Sequence, residues 1–328
     1  MLYLNKRMGV VTMDSLSYQE KLARIAQDYY LSKMTISQLT KKYQISRYLI
    51  SRYLDDALSS GIVNIEIKSP TARNFQLESV FKKKFAIAHI YILKNENNPS
   101  SDGSNIIKYA AEQIQTIINQ SNIVGLSWGG TVFNIIDHFH SDVKPKLTFT
   151  QFMGENMKYN SLAGSTRMTE RAANKLGAQY VTMPAPLYIT NNTIRKELPE
   201  EPALRKTFKM AHKMDMLFCG LGTFSSINSI PAWKQSKSLI FPDVDPSKIA
   251  GMLFGRPYDI NGNFLIPTKD TTLSIDLQSI MATPRKFGIL KSRFKTNAAL
   301  GALRGNILTD LIMDESIAQR ILSADKEM

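Results

Sequence analysis

At 328 residues and 37.0 kDa the chain is too long for one small core, so two unequal domains are expected, and 43% hydrophobic with 21% charged residues excludes wholesale disorder. A formal charge of +13 and a pI near 9.6 favour an anionic partner, either nucleic acid or a phosphorylated ligand, with a merely basic soluble protein as the bland alternative. A single cysteine, Cys219, excludes an internal disulfide and a Cys-rich zinc site, and the lack of an apolar run of about 20 residues argues for a cytoplasmic protein with no membrane partner.

Residues 18–31, "YQEKLARIAQDYYL", place Leu22, Ile25, Ala26 and Tyr29 at helical spacing. Thr35 stands where a helix N-cap belongs, and Ile36, Leu39, Thr40 and Tyr43 line one face of a second helix. Ser46 caps a third, whose buried stripe is Leu49, Ile50, Tyr53, Leu54, Ala57 and Leu58 and whose end is Gly61. Two helices this close, with Tyr43 to Ser46 between them, form a helix-turn-helix pattern. The inward positions then leave Ser46, Arg47, Tyr48, Ser51 and Arg52 free to meet double-stranded DNA: arginine forks onto guanine, and hydroxyls reach phosphates or base edges. A solvated helical hairpin is the plain alternative. Gln44 sits at a turn position that often needs a left-handed backbone, where glycine costs less by about 1 kcal/mol. The alternating "IVNIEIKS" that follows reads as a wing or connecting strand, and the boundary is expected near residues 66–72, dividing the chain into 1–68 and 69–328.

Beyond it, "NFQLESVFKKKF" reads as helix, "AHIYIL" as strand and "ENNPSSDGSN" as loop. Helices at 104–119, 130–139, 164–176 and 201–214 then alternate with strands "NIVGLSW", "LTFTQFM", "QYVTMPA" and "MLFCGLG", so right-handed crossovers and a largely parallel sheet are expected. Ligands of such sheets gather beyond the carboxyl ends of the strands. There, "GLSWGGTV" offers Ser127, Gly129, Gly130 and Thr131 at a helix start suited to an anion. "QFMGEN" offers Gly154, Glu155 and Asn156, and "CGLGTF" offers Gly222 and Thr223. Lys295, near Lys291 and Arg293, precedes a helical pattern and can meet a phosphate; Asp259 shares a turn with Gly262. A tight turn, a cap or a solvated side chain is the alternative at each. The four histidines, His89, His138, His140 and His212, form no catalytic arrangement, and no metal-ligand spacing appears, so neither a metal nor a cofactor is expected.

Taken in order, "ISRYLISRYLDDALSSGIVNIEI", "VGLSWGGTV", "AGSTRMTERAANKLGAQYVTMPAPLYI", "DMLFCGLGT", "GRPYDINGN" and "AALGALRGNILTDLIMDESIAQRIL" resemble the SorC-type family of bacterial transcriptional regulators across residues 17–323. The resemblance implies an α/β chain: a helix-turn-helix, winged-helix-like, followed by a Rossmann-like effector domain of sugar-phosphate isomerase/deaminase type, used for binding and not turnover. It further implies a homodimer or homotetramer whose operator affinity follows a phosphorylated sugar in carbohydrate metabolism, with the loop residues above and Lys295 forming the pocket. The family often has glycine where Glu155 stands and Ala-Gly-Gly where Leu290 to Ser292 stand, and Met153 lacks the amine a Schiff base requires, so reversible non-covalent binding is expected. An enzyme acting on sugar phosphates with a fused DNA-binding head is the alternative.

Overall fold

The computed structural model describes residues 17–65, 73–94, 104–157 and 164–327. The chain divides into two compact units, Met1–Ser69 and Pro70–Met328.

The smaller unit contains α1 (Tyr18–Ala26), α2 (Ile36–Tyr43) and α3 (Arg47–Ser59). Capping fixes where they start. Ser17 and Glu20 form a reciprocal capping box on α1, Thr35 and Gln38 do the same on α2, and the Ser46 hydroxyl accepts from the Leu49 amide at 3.2 Å on α3. Leu22, Ile25, Ala26, Leu39, Ile50, Leu54 and Ala57 form the shared core. The helix expected over 18–31 is α-helical only to Ala26; Gln27–Leu31 widens into a π-helical turn. That turn carries Asp28, whose carboxylate accepts from the Lys42 ammonium at 2.6 Å and from the Tyr43 hydroxyl, so it grips the end of α2. Gln44 takes the left-handed backbone, with φ 55° and ψ 35°. The expected strand does not form at residues 62–65: Gly61 turns with φ 76° and the Val63 amide donates back to Ala57 O, which keeps this stretch on the end of α3. The rest of "IVNIEIKS" lies outside the described residues, as does most of the "ENNPSSDGSN" loop.

The larger unit runs α4 (Phe75–Phe85), β1 (His89–Leu93), α5 (Ser104–Ile118), β2 (Ile123–Leu126), α6 (Gly130–Asp137), β3 (Thr148–Gln151), α7 (Ser165–Lys175) and β4 (Gln179–Val181). It continues with α8 (Asn192–Glu197), α9 (Pro202–Ala211), β5 (Met216–Gly220), α10 (Pro231–Gln235), α11 (Lys237–Ile240), β6 (Gly251–Leu253) and β7 (Arg256–Tyr258). Last come α12 (Leu277–Ala282), β8 (Arg285–Ile289), α13 (Thr296–Arg304), β9 (Asp310–Asp314) and α14 (Glu315–Glu327). Seven strands form a parallel sheet in the order β1-β9-β8-β5-β2-β3-β4, and β6 and β7 form a separate antiparallel ribbon.

Strand alternation divides the apolar residues between two cores. Along β5, Met216 and Phe218 join Ile114, Val132, Ile135 and Met168 on one face, while Leu217 and Cys219 join Phe81, Phe208, Leu300 and Ile317 on the other. Helices therefore cover both faces of the sheet, as a buried parallel sheet demands. Two ion pairs anchor its far edge: Arg285 with the fully buried Asp310 at 2.5 Å, and Arg73 with the buried Glu78 at 2.5 Å. Beside them, the Lys286 ammonium caps two carbonyls at the end of α12, Met281 O at 2.8 Å and Thr283 O at 2.9 Å. No described helix is long and apolar enough to cross a membrane.

Candidate functional site

In the smaller unit, α3 exposes Arg47, Tyr48 and Arg52, with Tyr48 73% accessible, and half-buries Ser51. Ser46 is exposed, and its hydroxyl spends one acceptor lone pair on the helix cap. Asp56, one turn beyond Arg52, accepts the Tyr18 hydroxyl at 2.5 Å and lies 3.8 Å from the Arg52 guanidinium. The display is therefore polar and planar on one side and aliphatic on the other. Tyr18 is tied to α3 by that hydrogen bond and by an edge-on contact with Tyr53.

In the larger unit, the sheet order dictates where a ligand can enter. From β2 the chain steps outward through β3 to β4, then returns to place β5 on the other side of β2 and steps away through β8. The crossovers leaving β2 and β5 thus diverge to opposite sides, opening a crevice at their carboxyl ends. A cavity of about 300 Å³ lies there. Ser127, Trp128, Gly129, Gly130 and Thr131 follow β2; Gly220, Leu221 and Gly222 follow β5; Asn156, Lys295 and the β6–β7 ribbon complete the polar and backbone walls.

Gly129 explains why the first loop is glycine-bearing. Its φ of 121° and ψ of 156° fall where only glycine is unstrained, and this turn sends the chain into α6 with no side-chain cap on the helix start. A helix start of this kind carries about half a positive charge. Gly222 is small for a different reason: its amide and carbonyl pair with Met252 O and N at 3.1 and 3.0 Å, and a Cβ would come within 3.1 Å of that carbonyl. Lys295 ends the short turn Arg293–Lys295 ahead of α13, and its ammonium donates to Leu221 O at 2.5 Å. Burial holds its pKa below the ordinary lysine value.

The opposite wall is aromatic. Trp233 meets Trp128 edge-on at 6.3 Å and Tyr188 at 4.9 Å between ring centroids, and the Tyr188 hydroxyl donates to Gly255 O at 2.8 Å. Among the described wall residues the titratable side chains are Lys295, Cys219 and Tyr188; burial pushes the Cys219 thiol up to about 12 and the Tyr188 phenol up as well. The sequence motifs contain Trp128 and Tyr188 without marking them, and Trp233, Ile230 and Met252 come from segments that carry no loop motif. A lone tryptophan in the hydroxyl-rich "SSINSIPAW" is the signal that could have pointed to Trp233.

Of the expected pocket residues, Ser127, Gly129, Gly130, Thr131, Asn156, Gly222 and Lys295 line the cavity. Four stand elsewhere. Glu155 accepts from the Thr166 amide at 2.5 Å, setting a carboxylate on the first turn of α7. Gly154 permits a close crossing, since a Cβ there would lie 2.6 Å from Pro186 O. The Thr223 hydroxyl pairs with Ser225 at 2.8 Å. Asp259 builds its own turn: it accepts the Asn261 and Asn263 amides at 2.9 Å each, and although burial opposes ionisation, the bonds from Asn263, Asn261 and Gly262 together outweigh it and hold the carboxyl below its usual range. Lys291 and Arg293 are likewise outside the lining, with Arg293 stacked over Phe294. Among the described residues no cluster of three His, Cys, Asp or Glu could hold a metal.

Comparison with known proteins matches residues 69–323 to the family model described as "Putative sugar-binding domain". The chain is 25% identical over 307 residues to the sorbitol operon regulator of Klebsiella pneumoniae, covering 92% of this chain and 97% of that protein. It is 21% identical over 315 residues to the deoxyribonucleoside regulator of Bacillus subtilis (strain 168), covering 93% and 98%. The solved full-length sorbitol operon regulator SorC from Klebsiella pneumoniae has the same fold at a TM-score of 0.65 and 22% identity, covering 94% of this chain and 100% of that one.

Proposed function

The chain belongs to the sugar-binding-domain family of SorC-type regulators, and we propose that it is a cytoplasmic DNA-binding regulator whose grip on an operator is set by a small phosphorylated sugar. The observation that carries this reading is the pairing, in one chain, of an outward-facing Arg47, Tyr48 and Arg52 with a cavity at the switch point of a parallel sheet. Residues 1–68 act as the helix-turn-helix head and 69–328 as the effector body. In the body, the phosphate sits at the start of α6 near Lys295, and the sugar lays its C–H face on Trp128 and Trp233. A ligand of this kind shifts DNA affinity only by binding two arrangements of the protein unequally. One α3 reads a few base pairs, so the working species is a homodimer or homotetramer that pairs half-sites.

The test is duplex binding with and without phosphorylated sugars, beside an assay for their consumption. Arg47→Ala is expected to weaken operator binding about fivefold or more, since a bidentate base contact is worth about 1–3 kcal/mol, while ligand-induced thermal stabilisation persists. Lys295→Ala does the reverse. Loss of both properties in each folded variant, or turnover of the sugar, overturns the reading.

A further inference from the structure

The excess charge is not where a DNA-binding head alone would need it. Residues 1–69 hold 10 Lys and Arg against 6 Asp and Glu, leaving 31 against 22 in residues 70–328. Part of that surplus is organised on α9. Leu204, Thr207, Phe208 and Ala211 are buried, and the Thr207 hydroxyl donates to Thr182 O, which fixes the helix against the sheet side of the body. The opposite face shows Arg205, Lys206 and Lys209, and the turn that ends α9 adds His212 and Lys213, all exposed. Two of the five have acidic neighbours: Arg205 lies 3.6 Å from Glu200, and His212 lies 3.9 Å from Asp276. Lys206, Lys209 and Lys213 have no ion pair or hydrogen bond to another side chain among the described residues. Lys206 and Lys209 stand three residues apart on α9, and the αR backbone of the C-cap His212 carries Lys213, in the turn beyond, along the same line, a row about 10 Å long at about 1.5 Å per residue.

We propose that this lysine row on the effector body is a second contact surface for double-stranded DNA, engaging the phosphate backbone without reading sequence. The inference rests on the DNA-binding reading above. The charge complementarity is direct: duplex DNA carries one phosphate per about 3.4 Å along each strand, so the row spans about three. His212, the one exposed ring between the lysines, is engaged by Ser279 at 3.1 Å and lies 3.9 Å from Asp276, so the row adds affinity and salt dependence while α3 keeps the specificity.

The experiment measures Kd of the full chain for a long mixed-sequence duplex across a salt series, for wild type and for Lys206→Gln/Lys209→Gln/Lys213→Gln. Each lost phosphate contact lowers the slope of log Kd against log salt by about 0.9, so a drop of about 2 to 3 is expected. The corresponding triple Lys→Arg variant restores it. Wild-type binding with the same slope in the Gln variant overturns the inference and leaves the DNA-binding reading standing. So does a row that proves selective for single-stranded RNA over duplex in competition. A wild-type protein that binds no duplex fails the DNA-binding reading itself.

Discussion

Lys295 concentrates the chemistry of the cavity in one side chain. Its ammonium is half-buried against Leu221 O, and burial lowers its pKa, so the folded protein pays to keep it charged when no anion is present. The sign follows from that direction: a lysine whose folded pKa lies below its unfolded value opposes folding where it is protonated, and the penalty fades as pH rises past the folded pKa. Lys295→Met is therefore expected to leave the unliganded protein at least as stable as wild type in thermal melts at neutral pH. The same variant loses the response to a phosphorylated sugar, because a hydrogen bond to a charged group is worth about 1.5–3 kcal/mol, more than tenfold in Kd. A clear fall in the melting temperature of the unliganded variant would show that Lys295 is a structural brace for Leu221 O instead. Glu155 teaches the converse lesson. A carboxylate beside a glycine at a strand end reads as a ligand group, yet its Oε1 accepts from the Thr166 amide and the Gln151 side chain, a choice set by where α7 begins and invisible in the residues around it.

At the scale of elements, α3 is defined by its cap and by the turn before it. Ser46 accepts the Leu49 amide, and Gln44 takes the left-handed conformation that ends α2. Ser46→Ala should destabilise the helical head by about 1 kcal/mol, the usual worth of such a cap. Ser46→Asp should recover that stability, because aspartate caps equally well and suits the helix dipole, but should weaken duplex binding by setting a carboxylate where phosphates approach. Chemical denaturation and a binding titration on both variants check this; equal DNA affinity for the two would place Ser46 away from the duplex. The caps at Thr35 and Ser46 and the stripes of α1, α2 and α3 are legible because they are local, within four residues of one another. The π-helical turn at Gln27–Leu31 is not, since what holds it is the reach of Asp28 to Lys42 and Tyr43, fourteen and fifteen residues on.

For the molecule as a whole, the head and body have separate cores: the apolar cluster of Leu22, Ile25, Leu39 and Ile50 shares no residue with the two that sandwich the sheet. Two thermal transitions are expected in calorimetry, and a phosphorylated sugar should move only that of the body, by mass action worth about 2.7 kcal/mol at a hundredfold excess over Kd. One cooperative transition that shifts as a unit would count against independent units. Periodicity, caps and glycine placement made much of this architecture readable in advance: the helical head, the alternation of helix and strand, and seven of the cavity-lining residues all follow from patterns within short stretches. What the linear chain could not hold was the order β1-β9-β8-β5-β2-β3-β4, which brings the ends of β2 and β5 together and makes their crossovers diverge. That order depends on which strands pair across long intervals of chain. It also brings Trp128, Tyr188 and Trp233 into one aromatic wall, while the local hydrogen bonds of Asp259 and Thr223 hold those residues out of the lining.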